Sequence, residues 1–275
     1  MSEPRTLAPP ERRVAVVSGV ERLGAYHLVT AHDASGPREP QPGQFYMLAT
    51  EECWGGGDGE RPYLPRAFSY ARAHVEPDGV SLGFLLEIVG PGTERLATLA
   101  PDGGLALVGP LGIGFRPPPE GARPVLVGGG IGVAPLLCLQ EELDDPTVLL
   151  GFRSAAHAQA AALFSGDPNV VTDDGSVGRQ ALVTELLAAE LDADADAEAA
   201  VFACGPPAML EAVRALCAGR GVPAQLALES GMACGFGACF GCVVPTTDGY
   251  LRLCVDGPVL DGDRLESALF AGAGH

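Results

Sequence analysis

Residues 234–242 read Cys234-Gly-Phe-Gly-Ala-Cys239-Phe-Gly-Cys242, and Cys254 follows after eleven further residues. Three cysteines spaced C-x4-C-x2-C, with a fourth further on, are typical of the loop that holds a plant-ferredoxin-type [2Fe-2S] cluster. A loop around such a cluster must bend sharply, and its three glycines, Gly235, Gly237 and Gly241, allow the backbone angles that bending requires. We therefore predict that the C-terminal part of the chain is a cluster module with these four cysteines as ligands.

Two other uses of these cysteines have to be weighed. A structural zinc site usually contains paired C-x2-C or C-x2-H knuckles, and here only Cys239 and Cys242 form such a pair. Zinc stays open as the weaker alternative. Disulfides are disfavoured, because the sequence has no recognisable signal peptide and cytosolic thiols stay reduced. The other cysteines read as ordinary residues of loops, strands and helices: Cys53, Cys138, Cys204 and Cys217.

The overall composition limits the class of protein. The 275 residues are enough for two domains and a small module, and 47% hydrophobic residues indicate a globular chain. A net charge of −18 argues against nucleic acid and against an anionic membrane as partners. No apolar run approaches the roughly 20 residues of a spanning helix. The polar residues 1–13 do not resemble a targeting sequence, so we expect a cytoplasmic protein.

The chain divides into parts with different periodicity. Residues 14–115 contain about six short strand patterns, one of them over residues 66–73, and only one helical pattern, over residues 93–100. This combination predicts a small closed antiparallel barrel. Residues 51–62 read as a loop without periodicity.

After Pro117-Pro-Pro119, strands alternate with helices. Helices are expected over residues 134–143, 155–164, 180–190 and 207–219, and a solvated connection over residues 191–199. Alternation of this kind predicts a parallel α/β sheet. The expected domains are therefore a barrel over residues 12–116, an α/β domain over 117–225 and the cluster module over 226–275.

Two segments of the α/β domain could bind a dinucleotide. Gly128-Gly-Gly130-Ile-Gly132 stands between a strand and a helix, where bare glycines let a pyrophosphate approach the helix N-terminus. Cys204-Gly205-Pro206 follows another strand and is expected at the same carboxyl edge of the sheet. The spacing alone is weak, because Val133 replaces the third glycine of the dinucleotide fingerprint. Structural βα turns remain the alternative for both segments.

Two segments of the barrel could bind phosphate. Arg66-Ala-Phe-Ser69 offers a guanidinium, which suits pyrophosphate. Gly90-Pro-Gly92-Thr93 leads into the only helical pattern of the barrel. By itself, Arg66 would more simply be part of a surface ion pair.

Taken together, these residues give the chain a resemblance to the ferredoxin-reductase-like flavoprotein superfamily. Within it, the chain is most similar to the family of electron-transfer subunits of dihydroorotate dehydrogenase B (NAD+), over about residues 14–263. The motifs behind the resemblance are Arg66–Ser69, Gly92-Thr93, Gly109-Pro-Leu-Gly-Ile-Gly114, Gly128-Gly-Gly-Ile-Gly-Val-Ala-Pro135, Asp173-Asp-Gly-Ser176, Cys204-Gly-Pro206, Glu229-Ser-Gly-Met-Ala-Cys-Gly-Phe-Gly-Ala-Cys239 and Cys254-Val-Asp-Gly-Pro258.

The resemblance implies three cofactor sites. FAD would be bound by residues of the barrel: Arg66, Ala67, Phe68, Ser69, Leu85, Leu86, Glu87, Gly92 and Thr93. NAD would be bound at the glycine-rich edge: Gly128, Gly129, Gly130, Ile131, Gly132, Cys204, Gly205 and Pro206. The [2Fe-2S] cluster would be held by Cys234, Cys239, Cys242 and Cys254. This chain departs from the family at Ala67, usually proline, and at Leu86-Glu87, usually Tyr-Arg. A flavin contact through the Glu87 side chain would be unfavourable.

The implied activity is that of an oxidoreductase subunit in pyrimidine (UMP) biosynthesis. A partner subunit with FMN would oxidise dihydroorotate, and its electrons would pass through the cluster and FAD to NAD+.

 In this scheme the FMN-containing catalytic subunit and this chain form a heterotetramer with two copies of each, and no side chain of this chain acts as an acid or base on dihydroorotate. A related reductase subunit that serves a hydrogenase, oxygenase or transhydrogenase is the alternative enzyme. A non-catalytic, zinc-stabilised nucleotide-binding protein is the alternative from another class.

Two further expectations concern partners of the cofactor sites. A Rossmann site that selects NAD often has an acidic residue about 20 residues past the glycines, but the chain has Gly151-Phe-Arg153 there. Arg153 could favour a 2′-phosphate, so the residues leave NAD and NADP open, and the resemblance favours NAD. On the cluster loop, Phe236 and Phe240 either pack against the barrel or face outward as an apolar docking contact.

Overall fold

The computed structural model describes residues 11–37, 39–51, 64–193 and 198–269. Apart from Glu51, the predicted loop over residues 51–62 lies outside these ranges. Cys53 lies outside them as well. The described residues form two seven-stranded sheets and a two-stranded hairpin. None of the helices in the described ranges has the length and the apolar character that crossing a membrane would require.

The N-terminal sheet is antiparallel, as the sequence predicts, and its strand order is β4-β3-β7-β1-β2-β6-β5. Helix α1 (Pro91–Ala97) follows β6. The strands are β1 (Arg12–Leu23), β2 (Tyr26–Asp33), β3 (Phe45–Thr50), β4 (Arg66–Ser69), β5 (Arg72–Glu76), β6 (Gly79–Glu87) and β7 (Gly104–Leu111). Alternate residues of β1 are buried, so one face of this strand packs on the core.

The two outermost strands of this sheet, β4 and β5, are consecutive in the chain. Only Tyr70 and Ala71 separate them, so the sheet must roll up until its two edges lie side by side. The single strand predicted over residues 66–73 is therefore wrong. The Ala71 N–H donates to the Gly83 carbonyl, and the buried Tyr70 hydroxyl donates to the Pro40 carbonyl, and these bonds fix the break between the strands.

The second sheet is the predicted parallel α/β sheet, with strand order β11-β10-β9-β8-β12-β13-β16. Only β16 runs antiparallel to its neighbour. Its strands are β8 (Arg123–Gly129), β9 (Thr147–Phe152), β10 (Asn169–Thr172), β11 (Arg179–Gln180), β12 (Ala199–Cys204), β13 (Ala224–Ala227) and β16 (Val259–Asp261). Its helices are α2 (Ala134–Glu142), α3 (Ala155–Ala158), α4 (Val183–Ala193) and α5 (Pro207–Arg220).

Three helices differ by more than one residue from their predicted bounds. Helix α1, expected over residues 93–100, spans Pro91–Ala97. The helix expected over residues 155–164 is a short α3 followed by a 3-10 turn, Gln159–Leu163. The helix expected over residues 180–190 begins later, where the Glu185 carboxylate accepts from the Leu182 N–H, and it extends to Ala193. It extends because Leu191 is buried one turn beyond Leu187. Part of the predicted connection over residues 191–199 is thus helical.

The C-terminal segment is not a separate layer. Its hairpin, β14 (Val243–Thr246) and β15 (Gly249–Arg252), leads into α6 (Leu253–Asp256), and β16 then returns to the α/β sheet beside β13. The predicted boundary after residue 225 falls inside β13. The cluster module therefore shares its last strand with the α/β domain.

One hydrophobic core joins the two large sheets. It contains Tyr26, Leu28 and Phe115 of the N-terminal part and Leu126 and Val133 of the α/β domain, all buried. The Phe115 ring packs edge to face on Phe202 of β12, with ring centroids 5.8 Å apart. Because residues on both sides of the junction are buried, the two sheets pack directly on each other and are not joined only by a linker.

A carboxylate on α5 anchors the last described residues. Glu211 accepts hydrogen bonds from Arg214 at 2.7 Å, from the Ala268 N–H at 2.6 Å and from the Ser267 hydroxyl at 3.1 Å. The Arg214 hydrogen bond, outweighing partial burial, lowers the pKa of Glu211 from 4.5 to about 2. The stabilisation is complete above pH 4.5 and is lost as the pH falls towards 2.

We expect Glu211→Gln to lower the free energy of unfolding at pH 7 by about 1–2 kcal/mol, because the charge-assisted bonds are lost. Thermal unfolding should show a melting temperature lower by about 2–6 °C. Glu120→Gln, at an exposed turn, is the control and should leave the melting temperature unchanged. Equal melting temperatures for Glu211→Gln and wild type would contradict this anchoring role.

Candidate functional site

The cysteine loop follows β13 and is shaped by two of its glycines. Gly235 and Gly237 have φ angles of 79° and 89°, in the left-handed region that favours glycine. A Cβ atom at Gly235 would lie 2.5 Å from Cγ of Met47, so the loop lies directly against β3. Gly241 does not adopt this conformation. Phe240 does, with a φ of 58°. The third sharp bend of the loop therefore lies at Phe240 and not, as predicted, at Gly241.

The four predicted ligand cysteines come together at this loop as reduced thiols. Cys242 and Cys254 are buried with their Sγ atoms 3.2 Å apart, whereas Cys234 is half-buried and Cys239 exposed. Backbone N–H groups point at sulfur, among them that of Gly241 at Cys239 (3.4 Å) and that of Cys254 at Cys242 (3.5 Å). N–H groups aimed at sulfur stabilise the negative charge of bound thiolates.

The loop has an uneven effect on thiol ionisation. Burial raises the pKa of Cys234, but N–H groups of Cys239, Phe236 and Ala238 outweigh it and lower this pKa to about 7. Burial, with the neighbouring Cys242, raises the pKa of Cys254 to about 12. A buried thiol of this kind becomes a thiolate when a metal cation supplies the compensating charge.

The distances between sulfurs favour two metal ions over one. In the part of the chain that the structure describes, no three of these cysteines have sulfurs within 4.8 Å of one another. A single tetrahedral zinc would hold four sulfurs about 3.8 Å apart, given Zn–S bonds of about 2.3 Å. Four thiols, of which Cys242 and Cys254 have sulfurs 3.2 Å apart, suit a two-iron cluster in which each iron takes two cysteine ligands.

A cleft on the barrel brings together the predicted phosphate-binding residues. A Cβ atom at Gly92 would lie 3.0 Å from the Arg66 guanidinium, so Arg66 rests on the first turn of α1. Thr93 closes that turn, because its hydroxyl accepts from the Val89 N–H at 2.9 Å and the Gly90 N–H at 3.2 Å. Arg95 lines the same cleft. One guanidinium on the first turn of α1 and a second one in its last turn suit an anionic pyrophosphate.

The remaining predicted flavin residues have different surroundings. Ala67 is exposed on β4, and Phe68 and Ser69 are half-buried. Leu85 and Leu86 are fully buried, Leu85 in the core between the sheets and Leu86 in the barrel core. Both side chains pack in these cores. The Glu87 carboxylate lies 3.3 Å from Nε2 of His157, on α3 of the other sheet.

The two predicted dinucleotide segments meet at the carboxyl edge of the parallel sheet. Cys204 pairs with Gly128 in register. A Cβ atom at Gly132 would lie 2.6 Å from Cα of Gly205, and one at Gly129 would lie 2.4 Å from Sδ of Met209. A side chain at Gly132 would push the glycine loop away from the end of β12, and one at Gly129 would displace Met209 of α5. Of the other predicted residues, Gly130 and Ile131 are half-buried beside this edge, and Pro206 is exposed.

Sequence reasoning missed two residues beside this edge. The Tyr26 hydroxyl lies 3.9 Å from where a Cβ atom of Gly130 would be, so β2 of the barrel reaches the glycine loop. His157 packs edge to face on Tyr26, with ring centroids 5.6 Å apart. Neither residue belongs to a motif, and only the packing of the two sheets brings them together.

The cluster loop and the barrel share a core. Cys242, Cys254 and Leu253 belong to one buried cluster with Phe45, Met47, Val108 and Leu111 of the barrel. A Cβ atom at Gly235 would also lie 3.2 Å from Leu111. The cysteine loop is thus packed directly on β3 and β7, without intervening chain.

A rolled antiparallel sheet, a parallel sheet with a glycine edge and a cysteine loop define a ferredoxin-reductase-like fold. The fold matches the structure of an NADH-dependent reduced ferredoxin-NADP oxidoreductase, with a TM-score of 0.75 and 23% identity over 93% of this chain and 90% of that one. It also matches the ferredoxin reductase of carbazole 1,9a-dioxygenase, with a TM-score of 0.62 and 23% identity over 78% of this chain and 68% of that one.

Similar sequences identify the family. Residues 229–266 match the iron-sulfur cluster binding domain of dihydroorotate dehydrogenase B. The electron transfer subunit of dihydroorotate dehydrogenase B (NAD(+)) from Caldanaerobacter subterraneus subsp. tengcongensis is 35% identical over 81% of this chain and 85% of its own length. That of Bacillus caldolyticus is 37% identical over 80% and 84%. The chain therefore belongs to the family of dihydroorotate dehydrogenase B electron transfer subunits.

We expect Cys239→Ser to remove or severely destabilise the cluster, because an alkoxide is a poorer ligand than a thiolate at this soft site. Iron and sulfide analysis should show a large loss, whereas flavin content should stay near that of wild type, because Arg66 and Gly92 lie in another part of the fold. Cys217→Ala on α5 is the control and should keep its iron and sulfide. Unchanged iron and sulfide in Cys239→Ser would exclude this residue as a ligand.

Proposed function

We propose that this chain relays electrons from the FMN of a dihydroorotate-oxidising partner subunit, through a [2Fe-2S] cluster and FAD, to NAD+ in pyrimidine (UMP) biosynthesis. The proposed assembly is a cytoplasmic heterotetramer with two copies of each subunit. The observation that supports this proposal best is the contact of Gly235 with Met47 and Leu111, which packs the cysteine loop on the proposed flavin barrel. Membership of the family supports the choice of partner and substrate.

Different residues of the chain would serve the flavin, the dinucleotide and the cluster. A bound flavin exchanges a hydride with nicotinamide and single electrons with the cluster, so it belongs between them. Arg66 and Arg95 would bind the flavin pyrophosphate at the cleft beside α1. Gly130, where a Cβ atom would lie 3.9 Å from the Tyr26 hydroxyl, would let the dinucleotide approach the sheet edge. The buried Met47 and Leu111 exclude water between cysteine loop and barrel.

A reductase subunit for a hydrogenase, oxygenase or transhydrogenase is the rival proposal, because the same fold occurs in solved reductases. Pull-down with an FMN-containing dihydroorotate dehydrogenase distinguishes the two. We expect a stable complex that reduces NAD+ with dihydroorotate, whereas neither subunit alone does so. A purified chain with flavin and cluster that does not bind this partner would favour the rival.

The choice of nicotinamide can be tested on the chain alone. Arg153 is exposed at the end of β9, next to the glycine edge, and could attract a 2′-phosphate. The relatives are nevertheless named for NAD(+). We expect NADH to exceed NADPH in kcat/KM for dye reduction by roughly tenfold or more. A clear preference for NADPH would show that Arg153 decides the specificity.

The partner should dock on the cluster loop. Phe236 and Phe240 are 50% and 63% exposed, so both rings face outward, and Tyr250 of the neighbouring hairpin is 77% exposed. Arg252 lies over the Phe240 ring, 5.3 Å from its centroid. Exposed aromatic side chains next to a redox site are suited to anchor an interface.

We expect Phe236→Asp or Phe240→Asp to weaken partner binding by roughly tenfold or more, because a charge would replace an apolar anchor. NADH-dependent dye reduction, which needs only the flavin and dinucleotide sites, should stay intact. Leu182→Asp, at an equally exposed apolar position of the α/β domain, is the matched control. If both Phe variants bind the partner as tightly as wild type, the docking surface lies elsewhere.

A further inference from the structure

A polar contact crosses between the barrel and the α/β domain beside the glycine edge. Glu87 ends β6, and its carboxylate lies 3.3 Å from Nε2 of His157 on α3. Both side chains are largely enclosed, with exposures of 30% for Glu87 and 15% for His157. An acidic side chain at this position, among residues expected to face a flavin, is directed to the other domain instead.

The other ring nitrogen of His157 continues the contact. Its Nδ1 lies 2.9 Å from the Ser154 hydroxyl, in the turn between β9 and α3. A neutral imidazole satisfies both neighbours when Nε2–H donates to Glu87 and Nδ1 accepts from Ser154. Ser154 directly follows Arg153, the exposed cation at the edge. Glu87 is thereby linked through two side chains to the turn that carries Arg153.

The same turn is held from the barrel at two further points. The Ala25 N–H donates to the Ala156 carbonyl at 3.0 Å, and this approach requires a glycine at position 24. Tyr26 pairs with Glu87 across β2 and β6, packs on His157 and brings its hydroxyl to Gly130. Since Gly129 pairs with Gly151 of β9, the β9–α3 turn borders the glycine loop directly.

We propose that Glu87 is a positioning residue for the nicotinamide dinucleotide. Through His157 and Ser154, Glu87 holds the β9–α3 turn, and with it Arg153, in place beside the glycine edge. The inference rests on the proposed function, because it takes the glycine edge as the dinucleotide site. It assigns Glu87 to the dinucleotide and not to the flavin. Without this contact the turn would rotate. The rotation would weaken binding of the dinucleotide and leave the rate of the following electron transfer unchanged.

The test compares Glu87→Ala, His157→Ala and the double variant, all as holoprotein. We expect each single variant to raise the Kd of NAD+ in calorimetry by roughly threefold to tenfold. The KM for NADH in dye reduction should rise similarly, with kcat within about twofold of wild type. The double variant should be no worse than either single one, since both remove the same contact.

Two further variants separate positioning from general damage. Glu87→Gln keeps an acceptor for Nε2–H and should bind NAD+ nearly as well as wild type. Glu21→Ala removes an exposed carboxylate from β1 and should have no effect. FAD content should be unchanged in every variant.

Loss of FAD in Glu87→Ala but not in His157→Ala would overturn the inference and make Glu87 a flavin ligand. Unchanged Kd and KM in both single variants, or additive effects in the double variant, would also overturn it. A wild-type protein that binds neither FAD nor NAD+ would contradict the proposed function itself, and the inference would fall with it.

Discussion

The close approach of the cysteine loop to the barrel is the contact on which the rest of the site depends. It exists because residue 235 has no side chain, since a Cβ atom there would lie 2.5 Å from Met47. The residue also has a positive φ that a larger side chain would strain. Any side chain would push the loop away from β3, and a longer distance between two redox centres would slow electron transfer between them. Packing and electron transfer therefore both require a glycine at position 235.

The same principle recurs at the carboxyl edge of the parallel sheet. Gly132 leaves no room for a side chain because the backbone of Gly205 lies against it, and Gly129 and Gly205 both lie against Met209 of α5. The core between the sheets then fixes this edge relative to the barrel through Tyr26 and Phe115. Close contacts at Gly235 and at Gly132, together with this shared core, thus set the relative positions of three sites that lie far apart in the sequence.

Local patterns in the sequence predicted the elements and motifs that are determined by residues close together in the chain. The cysteine spacing identified the loop, and the alternation of strands and helices placed residues 128–132 and 204–206 at one edge, where the structure has them. The break of the strand pattern at Tyr70 and Ala71 could not be seen, because it depends on hydrogen bonds to distant Pro40 and Gly83. The return of β16 to the α/β sheet is likewise a tertiary pairing without a local signal.

The direction of individual side chains was also beyond the sequence. Glu87 stood out as an unfavourable flavin contact, but its partner His157 appears only when β6 and α3 are packed together. The outward orientation of Phe236 and Phe240 depends on loop bends that include the positive φ of Phe240. Such features follow from how elements pack and not from propensity or spacing.

The most direct test of the account is an anaerobic titration of the purified chain with NADH, followed by visible absorption and low-temperature electron paramagnetic resonance. If the flavin and cluster sites are coupled through the Gly235 contact, the flavin absorption should bleach and the signal of a reduced [2Fe-2S] cluster should appear in the same titration. Bleaching of the flavin while the cluster of the intact protein stays oxidised, or a colourless protein that contains zinc, would contradict it.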